Sequence, residues 1–239
     1  DVSGLSVYPG FVEAHGHIGL DGYGIGYEGQ DYNEMGDILS PQLRGIDGIK
    51  PGDFAFKEAA AAGVTCVCVG PGSANVLGGT FTSIKTAGNR VDDMVVKKET
   101  AMKCAFGENP KRIYRDKGNS SRMSTAAKLR EMLFKAKEYN ERILAAGDDV
   151  TKRPPFDMKL NALLPVIRRE IPLKAHAHQL DDMFTAIRIA KEFNVKLTLE
   201  HCTEGHLAAE QLAAEHIPMA VGPTFNNATK YEVRKKTWA

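Results

Sequence analysis

Five of the seven histidines in this 239-residue chain stand in three short groups: His15 with His17, His176 with His178, and His201 alone. Each group closes a run of apolar, β-type residues. Residues i and i+2 of a strand face the same way, so each His-x-His pair projects both imidazoles to one side. Neutral imidazole is a ligand for Zn2+, Fe2+ and Mn2+, and a divalent ion needs several such donors converging at about 2 Å. One strand-end histidine is ordinarily a hydrogen-bonded structural residue, whereas three groups at three strand ends point to one shared metal centre. His206 and His216 fall within and just after a helical stretch, where surface or capping roles account for them.

Strand ends converge only if the strands lie side by side and parallel. Short β-type runs alternate with helix-type runs through most of the chain, the pattern of an α/β fold with a parallel sheet and crossover helices. Runs 7–18 and 64–69 read as strands, the first broken at Pro9-Gly10 and the second fully buried. Between them lies a helix over 54–62, opened by Pro51 and Asp53 and stopped by Gly63. Further strands are expected at 80–84, 94–96, 173–178, 196–200 and 218–221. Helices are expected at 124–146, capped by Ser124 and closed by Gly147, and at 156–170, 181–193 and 204–214. Seven strands in βα units of this length suit a (β/α)8 barrel, whose active sites sit at the C-terminal strand ends. A doubly wound open sheet is the architectural alternative. Residues 73–99, with glycine-rich turns and no clear helix, are expected to form a long loop beside the site or an irregular excursion.

Composition narrows the function classes. The chain is 43% hydrophobic and 26% charged, and 31 Lys+Arg against 30 Asp+Glu leave a net charge of +1. That balance provides no field for nucleic acid or anionic membranes, and no apolar run approaches the ~20 residues that cross a bilayer. Four cysteines, with Cys66 and Cys68 two apart in an apolar run, match neither a disulfide framework nor a CxxC motif, so a reduced, cytoplasmic setting is expected. The glycosylation triplets at Asn119 and Asn227 are of a kind expected by chance about once or twice at this length and carry no weight. The start at Asp1 and the stop just after the basic stretch 230–236 suggest a fragment of something longer.

The run Pro9-Gly10-Phe11-Val12-Glu13-Ala14-His15-Gly16-His17-Ile18-Gly19 resembles the first-strand motif PGFIDAHTHLG of the amidohydrolase superfamily. Ala62-Gly63-Val64-Thr65 is similar to the AGVTT that follows its first helix, Lys174-Ala175-His176-Ala177-His178 to its fifth strand, and Leu199-Glu200-His201 to its sixth. Order and spacing agree over essentially the whole chain, and the imidazolonepropionase-related branch is the most similar. The resemblance implies a metal-dependent-hydrolase TIM barrel, a small β-sandwich built from both termini, and one or two divalent ions, Zn2+ first with Fe2+ or Mn2+ as alternatives. It implies metal ligation by His15, His17, His176 and His201. His178 falls at the substrate as a catalytic residue that helps stabilise the tetrahedral oxyanion, or else acts as a hydrogen-bond partner. Glu13 and Glu200 become carboxylates that orient ligand imidazoles. Relatives with two metals bridge them through a carboxylated Lys or a Glu on the fourth strand, and Lys103 and Glu108 are the candidates here, with Lys97 a weaker one. Gly16 stands where relatives commonly carry Thr. The eighth-strand Asp, which binds metal and takes a proton from the attacking water, has no counterpart before Ala239. The whole of 1–239 is therefore expected to be a partial barrel of about seven strands, with the last strand and the β-sandwich outside it and with poor activity in isolation.

The chemistry that follows is metal-assisted hydrolysis of C–N bonds in amides or cyclic amides. Imidazolonepropionase itself, an N-acyl deacetylase (of N-acetylglucosamine 6-phosphate, for one) and a dipeptidase are the alternative enzymes. A non-catalytic amidohydrolase-like assembly protein is the alternative of another class, and the intact His-x-His pairs favour the enzyme. The glycine-rich segment 71–79 resembles a substrate-facing loop in which Asn75 and exposed backbone N–H groups meet a carbonyl or anion, without being a phosphate loop. Arg112 and Arg115 are placed to pair a substrate carboxylate. The expected partners are a small-molecule substrate and further copies of the chain in a homo-oligomer, with neither nucleic acid nor membrane.

Overall fold

The apolar runs assemble into one seven-stranded sheet whose spatial order equals its chain order. The strands are β1 (Phe11–Gly16), β2 (Val64–Val69), β3 (Leu77–Lys85), β4 (Val95–Ala105), β5 (Leu173–Ala177), β6 (Leu197–His201) and β7 (Met219–Val221). This is a computed structural model, and it describes residues 1–22, 26–223 and 230–234. The triplet at Asn227 and the end of the basic stretch 230–236 lie outside the described residues. β1 pairs parallel with β2, and β4 to β7 pair parallel in succession. That winding, with β1 and β7 at the edges, is an α/β barrel-like sheet consistent with an incomplete TIM barrel.

One strand departs from the expected parallel set. β3 runs antiparallel to both neighbours, and the short strands expected at 80–84 and 94–96 lengthen to 77–85 and 95–105, taking up much of the stretch 73–99 expected as a loop or excursion. The glycines that suggested turns serve close approach instead. Gly79 has φ +107, and a Cβ there would sit 2.3 Å from the carbonyl oxygen of Leu43. The segment between β1 and the first helix is thereby laid along β3, with bridges at Leu39–Leu77 and Arg44–Thr80.

Helices cover the outside. α1 (Phe54–Ala61) begins as expected, with the Asp53 carboxylate accepting the Ala55 N–H, and Gly63 follows at φ +83. Two short helices, α2 (Val91–Met94) and α3 (Glu108–Ile113), flank β4. α4 (Arg122–Ala146) starts earlier than expected because Ser121 is its cap. Ser124 is instead the return partner of that capping box, its hydroxyl taking the Ser121 N–H. α5 (Met158–Ile167) and α6 (Leu180–Phe193) precede and follow β5, and α7 (Ala209–Ala214) is preceded by a 3-10 turn over Gly205–Ala208 that shortens the expected helix.

The main core joins β4, β5 and β6 to α4, α5 and α6. α6 buries Met183, Ala186, Ile187 and Ala190, the three-and-four spacing of one helical face. β2 is buried only from Cys66 onward, and β1, at the sheet edge, exposes Phe11 and Val12. All four cysteines are buried and free. No described helix is long and apolar enough to cross a membrane.

Candidate metal centre

The ends of β1, β5 and β6 collect all five strand-end histidines. His15 and His176 lie within their strands, His17 and His178 follow their strands directly, and His201 is the last residue of β6. Ring centroids link them in a row, with His15 5.1 Å from His17 and 5.1 Å from His201, and His201 4.5 Å from His176 and 4.7 Å from His178. They line one cleft of about 510 Å3 together with Tyr32, Ser73, Asn109 and Lys230. Ligand nitrogens of His176, His178 and His201 lie within 4.8 Å of one another, a spacing that a metal ion would draw together. The tightest triad thus includes His178, which the sequence places at the substrate instead.

Outer contacts aim the rings. Nδ1 of His17 lies 2.8 Å from the Gly70 carbonyl oxygen, and Nδ1 of His201 lies 2.8 Å from that of Gly222. A carbonyl oxygen only accepts, so in both rings Nδ1 carries the proton and Nε2 keeps its lone pair. His178 Nδ1 is 2.7 Å from the Thr203 hydroxyl, and His15 Nδ1 is 3.1 Å from Glu200 Oε2. His201 and Cys202 adopt left-handed backbone, φ 74 and 48. Non-glycine residues rarely hold that conformation unless their surroundings impose it.

Burial keeps four of these imidazoles neutral. It pushes His17 down to about 4 and His201 down to about 3, with the Lys103 ammonium adding to both, and it lowers His15 and His176 far below the usual histidine range. Lys103 and Lys174, next to each other in the β4–β5 register, lie 5.5 and 5.4 Å from the Phe81 ring centroid. Lys174 pairs with Glu200 at 2.8 Å. Lys103 is fully buried, its Nζ has no hydrogen-bond partner among the described residues, and burial pushes its pKa down to about 7 against the opposing pull of Glu200.

An acid response follows. Between pH 6.5 and about 3 the unfolded chain binds protons that folded His17 and His201 refuse, so stability falls as pH falls through that window. Urea unfolding of metal-free protein at pH 7 and pH 4.5 is expected to show a clearly lower midpoint at the acid pH. Equal midpoints would contradict the burial of these rings.

The remaining sequence candidates separate. Glu108 opens α3 and accepts the Glu232 N–H through Oε2, outside the cleft lining, and Lys97 is exposed. Asn75 is buried and its side-chain amide donates to the carbonyl oxygens of Glu34 and Asp37, pinning a loop. Arg112 is exposed on α3 and lines a side cavity of about 380 Å3 that shares Tyr32, Ser73 and Asn109 with the cleft. Arg115 pairs with Asp116. Glu13 turns its carboxylate to the His15 backbone N–H, while Glu200 faces the His15 ring. His206 and His216 are exposed. Sequence reasoning overlooked Lys174, although its i, i+2 relation to His176 was a usable signal. It also overlooked Asn109 and Glu232, for which the local sequence holds none.

No family model matches the chain. A crystal structure of an amidohydrolase from Thermotoga maritima MSB8 superposes with a TM-score of 0.92 at 41% identity, covering 96% of this chain and 61% of that one. Amidohydrolase tasK of Hapsidospora irregularis is 27% identical over 234 residues, covering 89% of this chain and 24% of the relative. The chain therefore spans less than two thirds of the length of either protein. In sequence and fold the chain is thus similar to part of each of these two amidohydrolases.

Proposed function

We propose that this chain is the metal-holding barrel of a hydrolase that cleaves C–N bonds of amides or cyclic amides, in the manner of the imidazolonepropionase-related branch. The observation that carries the reading is the fixed tautomer of His17 and His201, which leaves two neutral Nε2 lone pairs beside three further imidazoles in one cleft. Neutral nitrogens in a buried, carbonyl-braced set are the donors that zinc, and also Fe2+ or Mn2+, accepts. His15, His17, His176 and His201 hold one or two ions, and Lys103 stands at the bridging position. With its pKa near 7 a sizeable fraction of its amine is unprotonated at neutral pH, as carboxylation requires. When bound, a divalent ion supplies a hydroxide nucleophile near neutral pH and a Lewis acid for the carbonyl.

The chain's own side chains then orient and enclose. Glu200 steadies the His15 ring, and the carbonyls of Gly70 and Gly222 hold His17 and His201 against rotation. His178, braced by Thr203, faces the reacting carbonyl, and Arg112 in the adjoining cavity receives a substrate carboxylate. Asn75 contributes indirectly, by holding the loop that carries Glu34 and Asp37.

Elemental analysis of the purified protein, combined with amine release from a panel of N-acyl amino acids, dipeptides and cyclic amides, tests this reading. About one or two divalent ions per chain are expected, with at most slow turnover of one substrate class by residues 1–239 on their own. Wild-type protein that retains no transition metal after exposure to it overturns the reading.

A further inference from the structure

The short segment 230–234 brings a carboxylate into the histidine cluster. Glu232 is almost fully buried, its side chain 1% exposed, and its Oε1 lies 3.7 Å from Nε2 of His176 and 3.7 Å from Nε2 of His178. Its placement is built from several directions. Glu232 Oε2 accepts the Glu108 N–H at 2.9 Å while Glu108 Oε2 accepts the Glu232 N–H at 3.0 Å, a reciprocal clamp between two segments 124 residues apart. Gly107 sits where a Cβ would lie 2.6 Å from Glu232 Oε2, and its φ of +79 is one that side chains avoid. Any other residue there would crowd the carboxylate out.

What Oε1 meets is unusual for a buried anion. It has no hydrogen-bond partner among the described residues, and its close cation is Lys230 Nζ at 3.0 Å. Of the two nearest imidazoles, His178 is braced by the Thr203 hydroxyl, and Nε2 of His176 lies 3.4 Å from the Asn109 side-chain nitrogen. Lys230 thus already offsets part of the cost of burying this carboxylate, and what points to an ion is that Oε1 also stands 3.7 Å from two imidazole nitrogens at once. A tetrahedral ion with ligands at about 2.0–2.1 Å sets its donors roughly 3.3 Å apart, so the 3.7 Å spacing needs only a small contraction.

We infer that Glu232 is a metal ligand of this centre, giving an oxygen donor through Oε1 to the ion held by His176 with His178 at its side. The inference rests on the metal reading above and adds to it an anionic donor from outside the strands. It also gives Lys230 a part, as the cation that keeps the carboxylate compensated before the ion arrives.

The test is Co2+ binding to purified wild-type and Glu232→Gln protein, read by chelator competition and by the visible absorption of the bound ion. Gln keeps the size of the side chain and its acceptor for the Glu108 N–H, so folding, checked by circular dichroism and Tm, is expected to persist. At least about 10-fold weaker binding and an altered cobalt spectrum are expected, since even partners behind the ligands change affinity about 10–100-fold. Unchanged affinity and spectrum in the variant overturn the inference while leaving the metal reading standing. Wild-type protein that binds no cobalt or zinc overturns both. Should the variant fail to fold, anomalous diffraction from metal-loaded wild-type crystals decides. An ion about 2.0–2.2 Å from Glu232 Oε1 supports the assignment, and a carboxylate more than about 3 Å from every ion refutes it.

Discussion

Protein carrying His201→Asn is expected to bind divalent metal more than about 100-fold more weakly than wild type, because groups merely behind a ligand already account for about 10–100-fold. His201 is the middle ring of the cluster, in contact with His15, His176 and His178. Its Nδ1 is bound to the Gly222 carbonyl, which directs Nε2 into the cleft. Asparagine isolates the loss of the ligand from the strain of the backbone. It is among the few residues that tolerate the left-handed conformation His201 holds at φ 74, so the variant should fold. Chelator competition and elemental analysis are the readouts, with the exposed His206→Asn as a control that leaves both unchanged. Near-normal metal content in His201→Asn would remove the central ring from the ligand set.

The second large effect has opposite signs for stability and for function. Lys103→Met replaces a fully buried amine that has no hydrogen-bond partner among the described residues by an apolar side chain of similar length. Removing this buried charge, which Glu200 offsets only in part, is expected to stabilise metal-free protein by about 1–3 kcal/mol, or ~2–12 °C in Tm for a chain of this size. On the proposed bridging role of Lys103, activity and the content of any second ion should collapse in the same protein. The stability gain also has a pH signature. Folded Lys103 releases its proton near pH 7 whereas the unfolded side chain holds it to 10.5. The wild-type penalty is therefore full below pH 7 and shrinks as pH rises from 7 toward 10.5. Urea midpoints of the two metal-free proteins should converge over that range. A gap that does not change with pH, together with undiminished hydrolysis, would mean that Lys103 is neither strained by burial nor used.

Much of this site was legible because strand chemistry is local. Alternation along a strand placed His15 with His17 and His176 with His178 on common faces, and the helix signals at Asp53 and Gly63 separated β1 from β2 correctly. The glycines at 78 and 79 misled because a glycine marks either a turn or a close approach, and only the path of the segment passing Leu43 decides which. Ser124 misled for a similar reason, since cap and return partner of one capping box can both be serine. Asn75 shows the limit for polar residues in glycine-rich segments, where the same amide serves a ligand or a distant loop carbonyl.

Residue type, spacing and strand alternation determined that this chain builds an α/β sheet with imidazoles at its strand ends, because those properties depend on neighbours two to four positions away, and they left a barrel and a doubly wound sheet both open. Tertiary structure alone decided which imidazoles sit closest, which ring nitrogens carry protons, that Lys103 rather than Glu108 lies buried beneath the cluster, and that Glu232 reaches His176 from the far end of the chain. Those outcomes depend on burial and on contacts between segments from about twenty to more than a hundred residues apart. Desolvation and the hydrogen-bond partner across the barrel, which set the charge and aim of each group, exist only once the sheet has curled.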